Sequence, residues 1–127
     1  MIIQWTTPTL ELSVPEGIEF DWLMLTFKQD EYQIDKIVDG SAVVDNKFSI
    51  FFTQEETSGF DKDYIVKAQI NMMKGEQRIA TTKAQLEVDD NLYDAYIDPT
   101  TPSVLEITEN GVYDVSNYST IKVNIGG

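Results

Sequence analysis

The sequence predicts an all-β protein: an immunoglobulin-like β-sandwich or small barrel of about seven strands, with one short helical turn and a short C-terminal β unit. Three observations support this fold class. Val, Ile, Thr, Tyr and Phe recur in short runs of period two. Asp, Asn, Gly and Pro separate these runs at the spacing of sandwiches or barrels, and helix signals are scarce. A length of 127 residues fits one domain with a small appendage.

The first strands follow directly from the alternation of apolar and polar residues. Residues 9–14 place Leu10, Leu12 and Val14 on one face, and the turn residues 15–17 end the strand. Residues 21–29 are largely apolar on both faces, which indicates a central strand. A tight connection at residues 30–31 then predicts a hairpin with a strand over residues 32–38.

Two turn signatures, Asp39-Gly40 and Asp45-Asn46, enclose a short apolar piece at residues 42–44 that is read as a strand. A further strand over residues 48–52 buries a second aromatic face. Thr53 is a good N-cap, and Glu56 three residues later completes a capping box for a helix of about one turn. Gly59 is expected to end that turn.

The longest predicted ribbon joins residues 64–73 to residues 77–88 through the loop Lys74-Gly75-Glu76, which contains the glycine that such a loop needs. It completes a β-sandwich domain over residues 1–97.

Residues 98–103 contain two prolines and no apolar residue, which indicates an extended linker. Residues 104–127 then form the short C-terminal β unit, with strands predicted at 104–108, 112–115 and 120–125. So small a unit must pack on the main domain, on another chain or on a following repeat. Residues 84–127 carry eight acids and one base, so a basic surface would suit this region.

The composition excludes several classes of function. A formal charge of −13 repels nucleic acid. Without Cys or His, thiolate nucleophiles, imidazole or thiolate metal sites and Ser-His-Asp relays are ruled out. Carboxylate chemistry, lysine chemistry and metal sites with oxygen ligands remain possible, but each needs a specific cluster. Since the sequence favours no such cluster, we expect no enzyme activity, no catalytic residue, no cofactor and no metal site. The sequence shows neither a membrane-spanning run nor a signal peptide, so synthesis in a cytoplasm without membrane association is expected.

Three acidic clusters have alternative interpretations. Glu55 and Glu56 point apart on a helix, which disfavours an acid pair for catalysis. Residues 61–63 and 89–91 are rich in oxygen ligands for calcium, but neither has the spaced ligands of a calcium loop. Solvated turns are the favoured interpretation of both.

Two sets of motifs resemble known phage sequences. Residues 5–10 (WTTPTL), 25–29 (LTFKQ), 52–57 (FTQEET) and 68–70 (AQI) occur in an order that resembles small proteins encoded among the virion genes of phages and prophages of Gram-positive bacteria. The usual glycine and leucine of that pattern are replaced by Trp5 and Phe52, and Ser58-Gly59 replaces another leucine.

The second motif is the more specific one. Residues 107–115 (ITENGVYDV), followed by Tyr118 and residues 123–125 (VNI), resemble a Thr-Glu-Asn-Gly-Thr-Tyr-Asp-Val repeat of phage tail and fibre proteins. The two resemblances imply a non-enzymatic virion structural protein of the head, neck, baseplate or fibre. Its partners are then other virion proteins, with many copies arranged symmetrically.

Aromatic side chains are the best candidates for contacts, because they supply much of the energy of protein interfaces. The predicted contact residues are Trp5, Tyr93, Tyr96, Tyr113 and Tyr118. Two other functions stay open. The same aromatics, together with Trp22 and Tyr32, are compatible with a module that binds host-surface glycans. The acidic surface is compatible with a DNA mimic that inhibits a basic protein.

Overall fold

A computed structural model describes residues 1–100 and 120–124, and this part of the chain is mostly β-strand, which confirms the all-β prediction. The strands are β1 (Ile2–Ile3), β2 (Thr9–Ser13), β3 (Trp22–Gln29), β4 (Tyr32–Asp39), β5 (Lys47–Phe51), β6 (Val66–Lys74), β7 (Gln77–Ala80), β8 (Ala84–Leu86), β9 (Val88–Asp89) and β10 (Thr120–Asn124). One α-helix, α1 (Gln54–Ser58), follows β5. No helix in these residues is long and apolar enough to cross a membrane.

The strands form two main sheets around one core, in a sandwich-like arrangement. The smaller sheet has the order β10-β2-β5, and the larger has the order β4-β3-β6-β7, with β8 also paired to β6. A separate parallel pair joins β1 to β9. Alternate residues of both sheets contribute buried side chains to one hydrophobic cluster. At one end of this cluster the rings of Phe27, Phe52 and Phe60 meet edge to face, with centroids 4.7 and 6.0 Å apart.

The predicted first hairpin is confirmed in detail. β3 lies between β4 and β6, so its two apolar faces belong to a central strand. Gln29 pairs with Tyr32 across the two-residue turn, and Asp30 adopts a positive φ of 54°. The Asp45-Asn46 turn is also confirmed, because both residues have positive φ between the bridged residues Val44 and Lys47.

The sequence-based prediction of one strand over residues 77–88 is wrong. The run is divided into β7, β8 and β9, because one extra residue enters the ladder opposite β6. Buried Thr81 lies at this irregularity, where its Oγ1 accepts a hydrogen bond from the backbone N–H of Ile70 at 3.1 Å. A side-chain oxygen thus completes the ladder, and β9 can leave β6 to pair with β1.

Two other predictions need correction. Residues 42–44 are not a strand: Gly40–Ala42 form a turn of 3-10 helix, and Val44 makes only an isolated bridge. β1 had no counterpart among the predicted strands, because two residues are too few for a period to be visible. Residues 1–97 therefore contain nine strands instead of about seven.

The predicted helical turn is present with both hydrogen bonds of its capping box. The Thr53 hydroxyl accepts from the Glu56 N–H, and the Glu56 carboxylate accepts from the Thr53 N–H. The helix ends at Gly59 as predicted, although Gly59 has an ordinary φ of −76°. Glycine is needed here for space, since a Cβ at this position would clash with the ring of Tyr32.

The last described strand belongs to the smaller sheet. β10 runs parallel to β2, with Thr120 opposite Thr9, and Val123 is buried in the common core. This strand therefore packs on the main domain, one of the three placements expected for the C-terminal unit. The strands predicted at 104–108 and 112–115 lie outside the described residues. The domain boundary at residues 98–103 stays a prediction.

Candidate interaction surface

The most exposed apolar stretch among the described residues follows β9. We call residues 91–97 the contact segment. Four of its large side chains are exposed: Leu92, Tyr93, Tyr96 and Ile97. Tyr93 and Tyr96 are 59% and 49% exposed, so two predicted contact residues lie on the surface, within one stretch of chain. Contiguous exposed apolar groups of this kind are typical of protein–protein contact sites.

Side-chain hydrogen bonds hold the contact segment against the rest of the domain. The Gln54 side chain makes two bonds with the backbone of Ile97: Nε2 donates to the carbonyl oxygen at 2.7 Å, and Oε1 accepts from the N–H at 2.9 Å. At the other end, Asn91 Nδ2 donates to the carbonyl of Gln4 at 3.1 Å. These bonds order the backbone and leave the large side chains free for a partner.

Trp5 is the third predicted contact residue that the structure describes. Its indole Nε1 donates to the Asp94 carboxylate at 2.6 Å, so Trp5 touches the contact segment directly. The ring is half-buried, and the backbone has a positive φ of 65°. Such a conformation is strained for a non-glycine residue. Trp5 therefore positions the segment and also exposes part of its own surface beside it.

The short helix α1 connects these parts. Gln54 is its first residue, and the buried Thr57 hydroxyl donates to the carbonyl of Thr6 at 2.8 Å, which fixes the turn that contains Trp5. Glu56 accepts a hydrogen bond from Lys36 Nζ at 2.8 Å. Burial alone raises the pKa of Glu56, but the hydrogen bonds from Lys36 and Thr53 outweigh it and hold the pKa below its usual value.

The other candidate residues have structural roles or lie elsewhere. Tyr32 packs edge to face on Phe60 with centroids 5.1 Å apart, and its hydroxyl donates to the Glu56 carbonyl. Trp22 lies on β3, outside the contact segment. Tyr113 and Tyr118 lie outside the described residues.

The acidic turns that the sequence singled out hold their own backbone. The Asp61 carboxylate accepts from the Asp63 N–H at 2.9 Å, and Asp89 accepts from the Asp90 N–H at the same distance. Within residues 1–100 and 120–124, no group of three or more acidic side chains is arranged to hold a metal ion. In both stretches an aspartate carboxylate thus accepts a hydrogen bond from the local backbone.

Sequence reasoning missed the residues that anchor the segment and half of its apolar surface. Gln54 and Asp94 have no sequence signal of their own, since their bonds join positions far apart in the chain. Leu92 and Ile97 could have been found from the sequence, because they are apolar residues in an acidic stretch that has no strand periodicity. Comparisons with protein-family models, with curated proteins and with solved structures found no match for this chain.

Proposed function

We propose that this chain is a non-enzymatic structural protein of a phage virion, which binds neighbouring virion proteins in many symmetric copies. The observation that carries the proposal is the contact segment, whose backbone is held by hydrogen bonds while Leu92, Tyr93, Tyr96 and Ile97 face outwards. Ordering a backbone before binding lowers the entropic cost of an interface. Exposed tyrosines are also among the residues that contribute most to interface energy.

The sequence motifs supply the second line of support, because they indicate the assembly in which such contacts would be made. The motif at residues 5–10 begins with Trp5, and the motif at 52–57 includes Gln54, so both contain anchors of the contact segment. The phage-like repeat at 107–115 follows the predicted linker. A role on the head, neck, baseplate or fibre is consistent with these motifs, and symmetric copies would allow weak contacts to add through avidity.

Mass spectrometry on purified virions of the phage or prophage that encodes the chain tests the proposal. We expect the chain to be present at a fixed, symmetric ratio to the major capsid protein. Its absence would contradict the proposal. In that case a glycan array and a pull-down from infected cells would test the alternatives of a glycan-binding module and an acidic DNA mimic.

Variants in the contact segment test the surface itself. Replacing both Tyr93 and Tyr96 by alanine should abolish incorporation, because it removes two exposed aromatic side chains from the proposed interface. Ile37→Ala is the control, since Ile37 is 72% exposed on β4, outside the contact segment and its anchors. Circular dichroism would verify that all variants fold. Equal incorporation of the double variant and the control would remove the contact segment from the proposal.

A further inference from the structure

Three of the nine basic residues of this acidic chain line one groove beside the larger sheet. Lys28 lies on β3, Lys67 on β6 and Lys83 in the loop before β8. We call this the lysine groove. It encloses about 430 Å³, and its other lining residues are Thr26, Gln29, Asp30, Ile65, Ala68 and Gln69. Asp30 is the single acid in the lining, so the groove is positive in a chain that is otherwise strongly negative.

The arrangement of the lysines is unfavourable without an anion. Lys28 and Lys67 lie directly opposite each other in the antiparallel pair of β3 and β6. Like charges at directly opposed positions destabilise a sheet. In the part of the chain that the structure describes, none of the three lysines forms an ion pair. A carboxylate brought into the groove would therefore remove a repulsion and gain charge-assisted hydrogen bonds.

We propose that the lysine groove binds residues 89–98 of a second copy of this chain. This acidic stretch includes the contact segment and has four aspartates and no base: Asp89, Asp90, Asp94 and Asp98. Its exposed tyrosines can pack on Ile65 at the groove, which is 48% exposed. The inference deepens the proposed function, since it names a partner for the contact segment and rests on that segment being an interface.

The stretch that fills the groove comes from a second copy, because the acidic stretch is held elsewhere in its own chain. There it is tied to Gln54 and to Trp5, and none of its residues lines the lysine groove. Two chains that each carry a charge of −13 repel each other in most orientations. The orientation that sets aspartates against lysines is the favourable exception, so charge selects the register of the contact.

A charge-swap experiment on the purified full chain tests the inference. The first variant carries Lys67→Glu and Lys83→Glu and has a negative groove. The second carries Asp89→Lys and Asp98→Lys, which leaves the Lys62–Asp90 ion pair and the Trp5–Asp94 hydrogen bond in place. The first variant sets a negative groove against its own kind of acidic stretch, whereas the second offers its positive groove a stretch with two lysines and two aspartates, whose net charge is zero. Each variant alone should therefore be monomeric in sedimentation velocity. In their mixture the unchanged groove of the second variant meets the unchanged acidic stretch of the first, so the mixture should associate.

A single substitution with a matched control gives the size of the effect. Lys67→Glu should raise the dissociation constant for self-association by about tenfold or more, because a favourable charge contact becomes a repulsion. Lys47→Glu makes the same change of charge at an exposed position of β5, in the other sheet, and should change the dissociation constant by less than about twofold. Measurement at about 0.15 M salt screens the overall repulsion of the chains but leaves close charge pairs.

Several results would overturn the inference: a wild-type chain that stays monomeric at millimolar concentration, equal effects of Lys67→Glu and Lys47→Glu, or a mixture that fails to associate. Binding of inorganic phosphate to the groove of a chain that stays monomeric would also overturn it, as a site for small anions. A monomeric chain that is still incorporated into virions contradicts this inference alone. A self-associating chain that is absent from virions contradicts the proposed function alone.

Discussion

Replacing Gln54 by alanine should release the contact segment without unfolding the domain. The substitution removes both hydrogen bonds between the Gln54 side chain and the backbone of Ile97. A neutral hydrogen bond contributes about 0.5–1.5 kcal/mol, and exposure places these two at the lower end. The free energy of local opening should therefore fall by about 1–2 kcal/mol, which is a factor of about 5–30 in the open population.

Amide hydrogen exchange measured by NMR resolves this effect at one position. The Ile97 N–H donates to Gln54 Oε1, so its exchange should accelerate by that factor while the amides of β3 and β6 are unchanged. Gln85→Ala is the matched control, because Gln85 is exposed on β8 and its side chain makes no hydrogen bond within the described residues. Unchanged exchange at Ile97 in Gln54→Ala would refute the view that this side chain orders the segment.

Three further predictions concern the scaffold that carries the segment. Thr81→Val should lower the free energy of unfolding by about 1–3 kcal/mol in urea titrations, because the buried Ile70 N–H loses its acceptor. Thr81→Ser keeps the hydroxyl and should retain most of the wild-type stability. Equal losses in the two variants would exclude the hydroxyl as the cause. Gly59→Ala should lower the free energy of unfolding by about 1–3 kcal/mol, because the added methyl group clashes with the Tyr32 ring. A melting temperature within about 1 °C of the wild-type value would contradict this prediction, since the expected shift is far larger. The pKa of Glu56 is lowered in the fold, so its ionised form stabilises the protein above the ordinary pKa of 4.5, and this stabilisation is lost as the pH falls through the lowered pKa. The free energies of unfolding of wild type and Glu56→Gln should therefore differ at pH 7 and converge in acid. A difference that stays constant with pH would count against this role of Glu56.

Local patterns in the sequence were sufficient for most of the main domain. The alternation in residues 9–14 and 32–38 reports one buried face, and the Asp45-Asn46 pair suits a turn that needs positive φ at both positions. The capping box was equally readable, because Thr53 and Glu56 satisfy each other within one turn of chain. Features that depend on neighbours in sequence were therefore predictable.

The errors arise where long-range pairing decides the structure. Residues 77–88 continue one β-prone pattern, and only the pairing of β6 with both β7 and β8 shows that Thr81 interrupts the ladder. The same reason explains why the site was found only in part. Tyr93 and Tyr96 could be chosen as aromatics, but the bonds from Trp5 and Gln54 that order their segment join distant parts of the chain.

The parallel pairing of β10 with β2 has a consequence for how the chain folds during synthesis. β2 is synthesised before the whole larger sheet, and its partner at residues 120–124 is synthesised only after that sheet. The edge of β2 is unpaired throughout that interval, while β5 can already cover its other side. Late contacts of this kind slow folding and expose an edge that can capture a strand from another nascent chain. Chaperones that shield strand edges should therefore increase the yield of the folded protein.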